Sequence, residues 1–136
     1  VMSIAFLAFA AEGYSYLQIP LSNNPAVISH RGVSQANGVQ NTIQSLEKTA
    51  LLKPDYIEMD VQETKDGQFV MMHDANLSAL TGVNAKPQDL TLTELTSLDV
   101  TENGYRTKIS SFDAYLKRAN ELGQRLLIEI KTSKKD

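Results

Sequence analysis

Residues 56–61 read Tyr-Ile-Glu-Met-Asp-Val, and this short run constrains the chain more than any other. Ile57, Met59 and Val61 alternate with Glu58 and Asp60, the period of a strand with one apolar face. The same alternation sets both carboxylates on the opposite face. Two acids side by side are costly to bury unless something cationic lies between them. A hard divalent cation, which takes several oxygen ligands, suits such a pair. A half-exposed strand with its acids in water is the other reading that the run by itself allows.

The 136 residues are enough for one modest domain with a core. A net charge of −3 gives no bulk electrostatic reason to bind nucleic acid. The absence of cysteine excludes disulfides, thiolate ligands and a cysteine nucleophile. Val1 is not an initiator methionine, and the chain stops just after a strand-like run, so a fragment of a longer protein is expected. Residues 1–25 are expected to form an apolar membrane-proximal segment and a tether, and residues 26–136 a partial barrel. The apolar run 1–11 is too short to span a bilayer as a helix, which takes roughly 20 residues. It reads as the last turns of a membrane helix, the apolar core of a signal peptide, or a buried helix. Pro20, Asn23, Asn24 and Pro25 mark the tether.

From there the chain alternates strands and helices. A strand at 26–29 runs into His30-Arg31-Gly32. A helix is expected over 41–53, with Asn41 as N-cap, Gln44 as its capping-box partner, and Ile43, Leu46, Ala50 and Leu51 as the apolar stripe. The 56–61 strand follows. Asp66-Gly67 then predicts a hairpin into strand 69–73. With those two residues as the loop, His73 falls opposite Asp60, on the face of the two carboxylates. Residues 75–89 read as a polar loop, and Thr91-Leu92-Thr93-Glu94 as a capping box for a short helix. Residues 101–108 read as irregular. Ser111 opens a helix whose Phe112, Tyr115, Leu116, Ala119 and Leu122 share one side and which stops at Gly123. Leu126–Lys131 is a buried strand with Glu129 and Lys131 on one face.

Three strands therefore end in polar chemistry, with helices between them. That is the pattern of a β/α barrel whose working face lies at the C-terminal ends of its strands. The chain has only two histidines, His30 and His73, and both belong to this set. An imidazole titrates near neutrality and can serve as acid or base.

His30-Arg31-Gly32, Asn41-Thr42, Glu58-x-Asp60, Asp66-Gly67 leading to His73-Asp74, and Glu129-Ile130-Lys131 together resemble the glycerophosphodiester phosphodiesterase family, from about residue 26 to 131. The resemblance implies an α/β fold, the N-terminal half of a TIM-type β/α barrel with a hairpin-like connection between its second and third strands. It implies that Glu58, Asp60 and Glu129 hold one divalent cation, Ca2+ or Mg2+. His30 and His73 would be the catalytic acid and base, and Arg31 and Lys131 would hold the phosphodiester oxygens. The substrate would be a glycerophosphodiester, and the products glycerol 3-phosphate and an alcohol. An apolar segment before the barrel resembles the membrane-anchored branch of the family, with the catalytic domain extracytoplasmic. Where the family usually has Glu before the Asn-Thr pair this chain has Gln40, which removes a carboxylate near the site. A lysophospholipid-cleaving phosphodiesterase would share these residues, and a non-catalytic membrane-tethered barrel is the reading of another class. Half a barrel leaves strands 26–28 and 126–128 as open edges, so the fragment alone is expected to be inactive and to self-associate.

Overall fold

The computed structural model describes residues 4–8 and 26–131. The elements in chain order are β1 (Ile4–Ala8), β2 (Ile28–Ser29), α1 (Ile43–Ala50), β3 (Tyr56–Glu63), β4 (Phe69–Met71), α2 (Ser78–Thr81), α3 (Leu92–Thr96), β5 (Asp99–Glu102), β6 (Tyr105–Lys108), α4 (Phe112–Glu121) and β7 (Leu126–Lys131). One-turn 3-10 segments lie at His30–Gly32 and Pro87–Asp89.

The main sheet is parallel in the order β1-β7-β3-β2, and β4 adds antiparallel to β3. Among the described residues helices lie between strands along the chain, and the sheet does not close on itself. The β3–β7 register pairs Ile57 with Leu126, Met59 with Ile128 and Val61 with Ile130. Partners in register share a face, so one side of the sheet is apolar. Against it α1 contributes Leu46, and α4 contributes Tyr115 and Ala119, in one core cluster. The α4 stripe is the one that the sequence predicts, and Ser111 caps the helix by accepting from the Ala114 N–H. A second core lies under the hairpins and short helices, built from Val39, Val70, Met72, Leu77, Leu80, Leu95, Val100 and Ile109.

Several expectations are corrected. The first strand is only Ile28–Ser29, with Val27 and Ile28 exposed. Helix α1 is capped by Thr42, whose hydroxyl accepts from the Ser45 N–H, and not by Asn41. Its buried side carries Ser45, Leu46 and Thr49, while Leu51 lies beyond the helix and is 79% exposed. The β3–β4 hairpin is one residue out of the expected register: Val61 pairs with Met71, and the Met72 N–H donates to the Asp60 carbonyl. The cause is a three-residue loop. The Thr64 N–H donates to the Gln68 carbonyl, the Gln68 N–H donates back to the Thr64 hydroxyl, and Gly67 takes the left-handed conformation (φ 73°) that closes such loops. His73 therefore lies past the strand, one residue beyond the position opposite Asp60.

The expected loop 75–89 contains α2 and the 3-10 turn at Pro87–Asp89. The stretch read as irregular is the β5–β6 hairpin, turned at Asn103-Gly104, both with positive φ (55° and 81°). An Asn-Gly pair is a strong two-residue hairpin signal, so this one was available in the sequence. Ile4–Ala8 is a strand and not a helix, parallel to β7 with Ile4 on Leu126 and Ala8 on Ile130. β7 is thus an inner strand with Leu126, Leu127 and Ile128 buried, and it is not the open edge expected of it. The expected tether lies outside the described residues. Among the described residues no helix is long and apolar enough to cross a membrane.

Gly32 is where the two layers meet most closely. Its φ is +68°, and a Cβ there would come 2.7 Å from the Tyr115 hydroxyl oxygen. Gly32→Ala is expected to destabilise the protein by roughly 1–3 kcal/mol, from backbone strain and the clash together. Adding Tyr115→Phe removes the clashing oxygen and leaves the strain. The cycle, read from denaturant midpoints, should show coupling of at least about 0.5 kcal/mol, and additive effects would disprove the contact.

Candidate active site

The face of the sheet opposite the apolar core carries the acids. Glu58 and Asp60 alternate with the core residues of β3, and Asp60 is the register partner of Glu129 on β7. Ligand atoms of Glu58, Asp60 and Glu129 all lie within 4.8 Å of one another, and all three residues are buried. Lys131 and its register partner Gln62 continue the same face toward the strand ends.

Each acid is met by specific donors. Asn41 clasps Asp60: its Nδ2 donates to Asp60 Oδ2, and its Oδ1 accepts from the Asp60 N–H, both at 3.0 Å. The Arg31 backbone N–H donates to Glu58 Oε2 at 3.1 Å, and His30 Nε2 lies 3.7 Å from the same oxygen. Lys131 Nζ pairs with Glu129. One oxygen each of Glu58 and Asp60 stays buried without a hydrogen bond.

Burial, and then the charge of Asp60, push the Glu58 carboxyl up to about 8, against the Arg31 N–H bond that favours its ionised form. The Tyr115 hydroxyl, beneath these acids, is raised far above its ordinary value by burial and by Glu58 and Asp60. Three clustered carboxylates, two with unsatisfied oxygens, form an all-oxygen donor set that fits a hard divalent cation such as Ca2+ or Mg2+. The sets typical of zinc are rich in histidine or cysteine.

The imidazoles flank this cluster unequally. His30 follows β2 in the 3-10 turn, and its side chain is 71% exposed. His73 is held from both ring nitrogens. Arg31 Nη2 lies 2.8 Å from Nε2, and Asp74 Oδ1 lies 3.0 Å from Nδ1. A guanidinium only donates, so Nε2 is the acceptor and the ring proton sits on Nδ1, pointing at Asp74. The loop bearing His73 is fixed from β3, where Gln62 Nε2 donates to the carbonyls of Met72 (3.0 Å) and Asp74 (2.7 Å). This fixing makes up for the slipped register: His73 joins the site through Arg31 rather than across the hairpin from Asp60.

The seven residues singled out in the sequence thus gather at one site: Glu58, Asp60, Glu129 and Lys131 on one face of β3 and β7, His30 and Arg31 in the turn after β2, and His73 in the loop after β4. Asn41, Gln62 and Asp74 belong to the same site and were not among them. Asp74 follows His73 directly and Gln62 extends the Glu58/Asp60 alternation, so both carried a signal. Asn41 carried a misleading one, since an asparagine before a helix reads as its cap.

The Glu58 shift has a stability consequence. Its folded-state value lies above its unfolded one, so the fold keeps a proton that the unfolded chain has already lost. The stabilisation is complete below about 4.5, drains as pH rises, and is gone once pH passes about 8. In chelated protein the melting temperature should fall between pH 5 and 8. Glu58→Gln should flatten that fall, and an added divalent cation should offset it. A chelated wild type no more pH-sensitive than Glu58→Gln would show that Glu58 is not so perturbed.

Comparison with known proteins places the chain in a family. The glycerophosphoryl diester phosphodiesterase family matches residues 30–136. The Bacillus subtilis protein YhdW is 38% identical over 112 residues, covering 77% of this chain and 44% of its own length. The lysophospholipase D GDPD1 of Rattus norvegicus is 43% identical over 68 residues, 50% of this chain and 21% of that protein. Among solved structures, the glycerophosphodiester phosphodiesterase of Agrobacterium tumefaciens superposes with a TM-score of 0.71 at 25% identity, over 79% of this chain and 47% of that one. An Oleispira antarctica phosphodiesterase in complex with the product sn-glycerol-3-phosphate gives 0.69 at 28%, over 79% and 44%. The chain therefore spans less than half the length of these relatives. Sharing their fold over most of its length and matched by the family from His30 onward, the chain belongs to the glycerophosphoryl diester phosphodiesterase family.

Proposed function

We propose that the protein hydrolyses glycerophosphodiesters to glycerol 3-phosphate and an alcohol. The observation that carries this reading is the meeting of a buried carboxylate triad, two cationic side chains and two imidazoles at the ends of adjacent parallel strands. A phosphodiester is anionic and resists attack, so hydrolysis needs charge neutralisation, proton removal from water and protonation of the departing oxygen. Glu58, Asp60 and Glu129 would hold the divalent cation, Ca2+ or Mg2+, which supplies Lewis-acid neutralisation of the phosphoryl charge when bound.

Arg31 and Lys131 would grip the non-bridging oxygens. In the resting arrangement each is already engaged, Arg31 with His73 and Lys131 with Glu129. Turning Arg31 to the phosphate would free His73 Nε2, whose partner nitrogen is oriented by Asp74. His73 then acts as the base, taking a proton from the attacking water. His30, whose Nε2 lies 3.7 Å from Glu58 Oε2, donates a proton to the alkoxide as the P–O bond breaks. One water is consumed, its hydroxyl going to phosphorus and its proton balancing the one given to the alcohol.

Lysophospholipids are the second substrate class, supported by relatives named lysophospholipase D that are up to 43% identical over half of this chain. Their chemistry would use the same residues, and only the pocket for the leaving group would differ. Assaying the whole protein on glycerophosphocholine and lysophosphatidylcholine separates the two.

The whole protein should lose activity on chelation and regain it with calcium or magnesium. Turnover that survives exhaustive chelation would end the cation assignment. Its kcat/KM should follow a bell-shaped pH profile. His30→Ala and His73→Ala should each lower the rate on the order of 100-fold or more. Near-normal turnover by either variant would remove that histidine from the mechanism.

A further inference from the structure

The tip of the β5–β6 hairpin reaches back to the segment that carries Gln40 and Asn41. It grips there at three points. Both oxygens of Glu102 are held by a single residue: Oε1 accepts from the Gln40 backbone N–H at 2.9 Å, and Oε2 accepts from Gln40 Nε2 at 2.8 Å. Asn103 Nδ2 donates to the Gly38 carbonyl at 2.9 Å. The Lys48 ammonium lies 3.8 Å from the centre of the Tyr105 ring. The last two contacts dock the hairpin. The Glu102 contact does something more, because it acts on a side chain that itself touches Arg31.

Gln40 Oε1 accepts from Arg31 Nη1 at 3.3 Å, and Arg31 Nη2 lies 2.8 Å from His73 Nε2. A primary amide has one end that donates and one that accepts. With its NH2 fixed on the Glu102 carboxylate, the Gln40 amide must present its oxygen to the guanidinium. A flip would set that oxygen against a carboxylate and its NH2 against a cation. Glu102 therefore dictates which way the amide faces, and the amide aims Arg31. The geometry also keeps the negative charge one amide away from the guanidinium. Arg31 is steered by a neutral acceptor, which competes with an incoming anion less than a direct ion pair would.

We propose that Glu102 is a positioning residue for the anion-binding guanidinium of Arg31, acting through the Gln40 amide. This rests on the reading of Arg31 as a phosphate-gripping group. It assigns to the hairpin, which supplies no group in contact with the reacting atoms, a share of the affinity for the phosphodiester.

In the whole protein, E102Q should raise KM for glycerophosphocholine about tenfold while kcat stays within about twofold. N103A and Tyr105→Leu loosen the hairpin without touching Gln40, and should leave KM unchanged. The exchange Q40E/E102Q reverses donor and acceptor across the same contact but sets a carboxylate directly on Arg31, and should not recover the lost affinity. Titration calorimetry with inorganic phosphate at fixed calcium, repeated on each variant, reads the same effect without turnover. Phosphate affinity equal to wild type in E102Q would overturn the inference. So would an equal loss in N103A, since that would make Glu102 merely a docking contact. A wild type that binds phosphate in a Glu102-dependent way but cleaves no diester would overturn the proposed hydrolysis and leave this inference standing.

Discussion

The constraint on which the site depends is electrostatic. The β3–β7 register puts Asp60 beside Glu129, and strand alternation adds Glu58 on the same face. Acids this close in a poorly solvated place repel one another by several kcal/mol at an effective dielectric near 20. The fold answers with donors rather than with distance. Asn41 gives Asp60 two hydrogen bonds, the Arg31 N–H reaches Glu58, and Lys131 meets Glu129. The balance is incomplete, which is why Glu58 is displaced upward and two buried carboxylate oxygens have no donor. A bound divalent cation would complete it.

The backbone is bent to deliver those donors. Arg31 and Asn41 both take left-handed conformations at φ 56°, unfavourable for a residue with a side chain. They are tied together, since the Asn41 N–H donates to the Arg31 carbonyl at 2.8 Å. Strain of this kind persists only where surrounding contacts over-determine it. Here the turn at 30–32 must send one residue's N–H to Glu58 and its guanidinium to His73. The segment ending at Asn41 must aim an amide at Asp60 while Thr42 starts the helix. Gly32 makes the turn possible, with Tyr115 packed too close for any larger residue.

Much of this was legible in the sequence because it rests on short-range periodicity. The alternation in 56–61 and the run Leu126–Lys131 gave strand, face and carboxylate positions together, and the α4 stripe and its Ser111 cap were equally plain. The errors came where a local signal has two solutions. Asp66-Gly67 allows a two-residue or a three-residue loop. The choice fell to Thr64, whose hydroxyl accepts from the Gln68 N–H at 3.0 Å and stabilises the longer one. Asn41 precedes a helix as a cap would, yet its amide is worth more against a buried carboxylate than against a helix end already capped by Thr42. The role of Ile4–Ala8 was not legible at all. An apolar run has no period to distinguish strand from helix, and its pairing partner lies more than a hundred residues away.

The two cores divide the labour of the site. The first, between α1, α4 and the sheet, fixes strands β3 and β7 and therefore the three carboxylates, whose positions follow from register alone. The second lies under the segments that carry Gln40, His73 and Glu102, with Val39, Met72 and Val100 buried in it one or two residues from each. The carboxylate cluster is thus built on continuous parallel strands, and Arg31, His73 and Gln40 on loops and turns. Local opening is easier in loops than in central strands. Under the proposed function, in which the carboxylates hold a cation and Arg31 exchanges His73 for a phosphate, that division keeps the cage fixed while the gripping groups can move. Changes in the second core would then shift Arg31 and His73 relative to each other while leaving the three carboxylates in place.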